Sequence, residues 1–144
     1  VLTVAFGDYV KFLCSTYFGW DGKKDEKGRH LLQHIGTGVF RQYDEDFFAN
    51  RVVDLIKATG GWDYVIIPDL RFENELHIIH SNFDAVAIRV ERSGFENGLT
   101  ATQKLNQSET ELDNHPEFGY AINTNDAAEK EKQALMILEE IVNG

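Results

Sequence analysis

The chain of 144 residues is poor in cysteine, in basic charge and in long apolar runs. Its one cysteine, Cys14, lies in an apolar stretch, so no disulfide framework can form and we expect a buried thiol in a reducing cytoplasm. Basic side chains number 14 against 24 acidic ones, and the net charge of −10 opposes binding to long nucleic acid, which needs a clustered basic surface. No apolar run approaches the ~20 residues of a membrane span, so we expect no membrane partner. A small phosphorylated ligand is compatible with this charge, because a few arginines in one cleft set the local potential.

The apolar pattern predicts one α/β domain over residues 1–144, since 42% hydrophobic content is enough for a single core. We predict strands over 1–6, 64–67, 85–90 and 120–123, helices over 9–18, 29–35, 44–58 and 73–80, and a last helix from Asp126. Gly36-Thr37-Gly38 is expected to end the second helix. This order is typical of the three-layer α/β/α class with a parallel sheet.

Two segments stand out against this pattern. The strand 64–67 is short and uninterrupted, which predicts burial on both faces of a sheet. Residues 91–119 carry few apolar side chains and should form a lid or binding loop with one short helix around 102–112.

Polar groups gather where the strand 64–67 ends, at Asp69 and Arg71. Ligands of open α/β sheets bind at the carboxyl ends of the strands, so both side chains are expected on the functional edge. Arg71 could equally pair with Asp69 or Glu75 to hold a loop in place.

Five arginines lie near predicted sheet edges, which indicates an oxyanion ligand because the guanidinium fork binds phosphate oxygens two at a time. Phosphoryl transfer needs such a set, since its catalysis is mostly positioning and charge neutralisation. We expect them to converge over one anion pocket: Arg29, Arg41, Arg71, Arg89 and Arg92.

The segment Asp69-Leu70-Arg71-Phe72-Glu73-Asn74-Glu75 resembles the aspartate-x-arginine-phenylalanine-x-asparagine-glutamate motif of the bacteriophage deoxynucleoside monophosphate kinases. Other segments continue the resemblance in the same order over nearly the whole chain: Asp8-Tyr9-Val10-Lys11, Arg29 to Gln33 with Ile35-Gly36-Thr37, Arg41, Arg89-Val90-Glu91-Arg92, Ser108-Glu109 with Leu112-Asp113, and Ile122-Asn123.

The resemblance implies the fold of the P-loop nucleoside monophosphate kinases and the transfer of the ATP γ-phosphate, with Mg²⁺, onto a deoxynucleoside 5′-monophosphate. It places Arg71, Arg89 and Arg92 as catalytic residues, with Arg71 facing phosphate and the other two on the side of a lid around 91–119. It places the substrate-binding residues toward the nucleotide acceptor: Asp8, Lys11, Arg29, Gln33, Arg41 and Asp69.

One part of the family pattern is missing: no Gly-x-x-x-x-Gly-Lys-Ser/Thr loop for the ATP phosphates occurs in these residues. Such kinases carry it in a first strand-loop-helix unit of about thirty residues. The chain begins with Val1 and its one methionine is Met136, so we expect that unit to precede Val1. The alternative is a non-catalytic relic of the same fold that has lost its donor site.

Other interpretations come from single features. Asp69, Glu73 and Glu75 could be metal-binding carboxylates of a nuclease or phosphohydrolase, although the neighbouring strand has no lysine. The pairs His30/His34 and His77/His80 lack an acidic or cysteine partner in sequence, so we expect no metal site. An exposed edge at Phe47-Phe48 would suit a homodimer. The sequence does not indicate which nucleobase is accepted.

Overall fold

Two units, each built on one pair of parallel strands, make up the chain in the computed structural model. The structure describes residues 1–92, 94, 98–105 and 107–144, with Ser108 described by its backbone. Unit 1 comprises residues 1–84 and 99–114, and unit 2 comprises residues 85–98 and 115–144. Part of the predicted lid, residues 93, 95–97 and 106, lies outside the described residues.

In unit 1, strand β1 (Leu2–Thr3) pairs with β2 (Val65–Ile66) in parallel, Leu2 opposite Val65. The helices are α1 (Phe6–Tyr17), α2 (Glu26–Gln33), α3 (Arg41–Tyr43), α4 (Phe47–Thr59), α5 (Glu73–Asn82), α6 (Ala101–Lys104) and α7 (Gln107–Thr110), with a π-helical segment, His34–Phe40, between α2 and α3. The core packs β1 and β2 against α4, because Val52 and Ile56 of α4 face Val4 and Phe6.

Unit 2 pairs β3 (Ile88–Glu91) with β4 (Tyr120–Asn123), also in parallel, with Ile88 opposite Tyr120. Helix α8 (Ala127–Asn143) packs on β4. The buried apolar side chains of this unit include Ala87, Ile122 and Ile137. The prediction of an α/β class is therefore confirmed in its general form, a small domain of mixed helices and parallel strands.

Three local predictions need correction. The Gly36-Thr37-Gly38 sequence does not end the helix, which continues through the π-helical segment to Tyr43. Gly36 lies close to α1, where a Cβ would be 3.4 Å from Val10, so tertiary packing outweighs the local stop signal. Strand β2 is not buried on both faces, since Ile66 is 53% exposed in a two-stranded sheet. Phe48 is buried and Phe47 is half-buried, so the Phe47-Phe48 edge is less exposed than expected, and the homodimer stays a prediction.

Cys14 is fully buried in unit 1, as predicted. Among the described residues, no helix combines the length and the apolar character needed to cross a membrane.

Candidate functional site

Asp69 fixes the carboxyl edge of the β1–β2 pair. Because the strands are parallel, the turn after β2 lies beside the start of α1, and the Asp69 carboxylate accepts hydrogen bonds from the backbone N–H groups of Phe6 at 2.9 Å and Gly7 at 2.8 Å. A negative charge is favourable at this helix N-terminus. A Cβ on Gly7 would come within 3.1 Å of the carboxylate, which explains the glycine. Asp69 therefore anchors α1 at the predicted functional edge.

Glu75 holds the backbone of the same turn from inside the protein. Its side chain is 4% exposed and accepts hydrogen bonds from the N–H groups of Arg71 at 3.0 Å and Phe72 at 3.2 Å. Burial raises the pKa of Glu75 to about 7, against the lowering effect of those backbone bonds and of the Arg41 guanidinium, while the charge of Asp69 adds to the rise. The carboxyl therefore titrates near neutral pH.

Arg41 is buried above this turn. Its guanidinium lies 3.5 Å from the centroid of the Phe72 ring, 3.9 Å from the Glu75 carboxylate, and donates to Asn74 Oδ1 at 2.8 Å and the Glu45 carbonyl at 3.1 Å. Burying an arginine needs this many partners, since an unpaired buried charge is costly. Arg41, the first residue of α3, therefore joins the segment after α3, at Glu45, to the start of α5, at Asn74. Contact of Arg41 with a substrate stays a prediction.

Arg71 points outward from the same turn. Its guanidinium side chain is 47% exposed and forms an ion pair with Glu109, whose side chain is 23% exposed. Beside it, the N–H of Glu73 donates to Glu111 Oε1 at 2.8 Å. Glu109 and Glu111 both belong to the part of the predicted lid that lies in unit 1. Two carboxylates of that segment therefore contact the motif, at Arg71 and Glu73.

An open groove of about 980 Å³ lies elsewhere in unit 1, between α2, the π-helical segment and the α6 region. The rings of His30 and His34 line it in parallel, with centroids 6.3 Å apart and planes 9° apart. Gln33 is the one predicted substrate residue in its lining, together with Asp25, Glu26, Lys27, Thr37, Gly38, Gln42, Thr100, Thr102 and Gln103. π-Helical turns inside helices are often found at functional sites.

The remaining predicted acceptor residues have local partners near the edges of unit 1. Asp8 and Lys11 form an exposed ion pair at 3.0 Å, and Asp8 also accepts from the N–H of Ala5 at 3.2 Å. The Nε–H of Arg29 donates to the Lys24 carbonyl at 2.8 Å. These contacts hold the helix starts and the loop before α2.

Arg89 and Arg92 belong to unit 2. The Arg89 guanidinium lies 4.1 Å from the centroid of the Phe118 ring and donates to the His115 carbonyl at 3.4 Å, and Arg92 is exposed at the end of β3. Within unit 1, the structure brings Arg71 and Arg41 to one turn. The convergence of all five arginines over one pocket stays a prediction.

Two of the three carboxylates of the nuclease hypothesis, those of Asp69 and Glu75, are directed to backbone groups. Both oxygens of Asp69 accept from N–H groups of α1, and Glu75 accepts from Arg71 and Phe72. Across the described ranges, no group of three or more His, Cys, Asp or Glu side chains is arranged to hold a metal ion.

The sequence did not reveal Glu109 and Glu111 as contacts of the motif, nor Glu45 and Asn74 as partners of Arg41. Glu109 and Asn74 had a signal, because both stand in segments quoted for the resemblance, whereas Glu45 and Glu111 had none. Compared with known proteins, the chain matches no family model, no curated protein and no solved structure. The kinase resemblance therefore remains an expectation, to be weighed against the geometry of unit 1.

Proposed function

We propose that the chain carries the acceptor side of a cytoplasmic, P-loop-type deoxynucleoside monophosphate kinase, which transfers a phosphoryl group from ATP to a deoxynucleoside 5′-monophosphate and releases the diphosphate. The proposal rests on the way in which the fold holds the backbone and the side chain of Arg71. Its backbone is fixed by a buried carboxylate while its guanidinium lies half exposed at the carboxyl edge of a parallel strand pair.

This arrangement suits the positioning of a phosphate. A guanidinium binds phosphate oxygens two at a time, and its charge does not depend on pH near neutrality. Phosphoryl transfer depends on holding the reacting groups in a near-attack geometry, and small displacements are costly. Two acids hold this turn in place. Asp69 binds the N–H groups at the start of α1, and Glu75 binds the backbone N–H of Arg71 itself.

The groove beside Gln33, whose lining does not include Arg71, is the candidate site for the nucleoside part of the substrate. Its volume of about 980 Å³ is at the upper end of the range for small-molecule sites. Amides of Gln33 and Gln42 offer both donors and acceptors, which the edges of a nucleobase require. These features leave the identity of the base open.

ATP and Mg²⁺ remain proposed cofactors. The chain has no Gly-x-x-x-x-Gly-Lys-Ser/Thr loop, and the portion of it that the structure describes groups no three metal ligands. Arg89 and Arg92 remain proposed catalytic residues of the lid side.

Calorimetric titration with the four deoxynucleoside monophosphates tests the proposal. We expect saturable binding of at least one, weakened at least about tenfold by Arg71→Ala, because a lost charge-assisted contact usually costs more than ~1.4 kcal/mol. Arg51→Ala is the matched control, since Arg51 is an exposed arginine of α4 that pairs with Asp54 at 2.9 Å. Absence of binding to all four would refute the acceptor site.

A coupled assay of ADP release separates the kinase from the non-catalytic relic. The natural polypeptide should release ADP only when Mg²⁺, ATP and the bound deoxynucleotide are all present. Binding of the deoxynucleotide without any such release would indicate the relic.

A further inference from the structure

Two carboxylates from one short segment occupy adjacent anion-binding groups of unit 1. Glu109 pairs with the Arg71 guanidinium, and Glu111 accepts from the N–H of Glu73 at 2.8 Å. That N–H belongs to the first turn of α5, a helix of 10 residues. First-turn N–H groups and guanidinium groups are both typical ligands of phosphate oxygens.

We propose that Glu109 and Glu111 stand in for a phosphate group at Arg71 and the start of α5, and that a nucleotide phosphate binds there by displacing them. This proposal rests on the proposed function, whose phosphate ligand it places. It adds that a segment of the chain itself competes with the phosphate for this site and so lowers the apparent affinity for the ligand.

The segment is anchored on either side of the two acids, so it can release them without leaving unit 1. Leu112 is buried, and Gln103 is buried with its amide 3.5 Å from the Glu26 carbonyl. Glu111 also accepts a hydrogen bond from the Gln107 amide, one turn earlier in the chain. The carboxylates are therefore held at a high effective concentration near Arg71.

The exposure of the Arg71 pair makes displacement feasible. Its side chains are 47% and 23% exposed, and ion pairs in contact with water contribute little to stability. The Arg41–Glu75 pair of the same turn differs, because its side chains are 6% and 4% exposed. A phosphate dianion offers Arg71 more charge than one carboxylate and can take the place of Glu109.

Glu109→Gln tests the competition, with inorganic pyrophosphate as the probe in calorimetric titration. Removing the competing charge should tighten pyrophosphate binding about fivefold. Adding Arg71→Ala to Glu109→Gln should abolish the gain. Asp63→Asn is the control, because it removes one negative charge from an exposed position just before β2, at the opposite end of the strand from Arg71.

Glu111→Gln provides a second variant, and it should also tighten binding. Unchanged or weaker binding in both variants would overturn the proposal, since it would mean that the acids only orient Arg71 and α5. Absence of pyrophosphate binding in the wild type and in both variants would overturn it as well.

The deoxynucleotide titrations separate this proposal from the function on which it rests. If Glu109→Gln bound pyrophosphate more tightly but neither the wild type nor any variant bound a deoxynucleotide, the displacement of the carboxylates would be supported and the kinase proposal refuted. If the wild type and Glu109→Gln bound a deoxynucleotide with the same affinity as each other, and likewise bound pyrophosphate with the same affinity, the kinase proposal would stand and the displacement proposal would be refuted.

Discussion

The buried carboxyl of Glu75 should make the stability of unit 1 depend on pH in an unusual direction. Burial raises its pKa from an ordinary 4.5 to about 7. Between these values the folded protein keeps the proton that the unfolded chain has released, so Glu75 stabilises the fold most at low pH, and this contribution is lost as pH rises toward 7. Between pH 5 and pH 8 the loss amounts to about 2–3 kcal/mol.

Glu75→Gln isolates this effect from the other titrating groups. The glutamine amide keeps an oxygen for the N–H groups of Arg71 and Phe72 but does not titrate. We therefore expect the free energy of unfolding of the wild type, relative to Glu75→Gln, to fall by about 2–3 kcal/mol from pH 5 to pH 8.

Urea unfolding followed by tryptophan fluorescence measures this difference, since Trp20 and Trp62 both lie in unit 1. Asp63→Asn, at an exposed position of unit 1, controls for the general loss of one carboxylate. The reasoning would be refuted if the free energy of unfolding of the wild type, relative to Glu75→Gln, stayed constant or rose from pH 5 to pH 8. A rise would mean that the attraction of Arg41 for the Glu75 carboxylate outweighs the effect of burial.

Two further predictions concern the scaffold of the site and use the same urea unfolding. Asp69→Ala should lower the free energy of unfolding by about 2–4 kcal/mol, because two N–H groups of α1 lose a charged acceptor. A loss under about 0.5 kcal/mol, the usual size for a surface substitution, would contradict this, since it would show that water replaces the carboxylate. Gly28→Ala should destabilise unit 1 by more than about 1 kcal/mol, since its Cβ would lie 2.0 Å from the Lys23 carbonyl oxygen. Gly119→Ala is the control, with nothing within 4 Å of its Cβ, and equal stability of the two variants would contradict this packing.

Regular elements with strong local patterns could be predicted from the sequence. The apolar face and the Thr59-Gly60-Gly61 stop predicted a helix over 44–58, and α4 spans Phe47–Thr59. The strand over 120–123 was predicted with its observed bounds, and α5 begins at Glu73 as expected. These elements follow from periodicity and end signals within a few residues.

Features that depend on distant contacts could not be predicted. The burial of Arg41 requires Asn74 and Glu75, more than thirty residues away along the chain. The continuation of the helix past Gly36 depends on the approach of α1 at Val10. The sequence marked Asp69 and Arg71 as edge residues, but only the fold shows that one anchors a helix while the other points outward.

A crystal structure of the chain with a bound deoxynucleoside monophosphate tests the central claim most directly. We expect the 5′-phosphate to lie within hydrogen-bond distance of the Arg71 guanidinium and the N–H of Glu73, with the Glu109 carboxylate displaced. A phosphate bound elsewhere, with Arg71 still paired to Glu109, would contradict it.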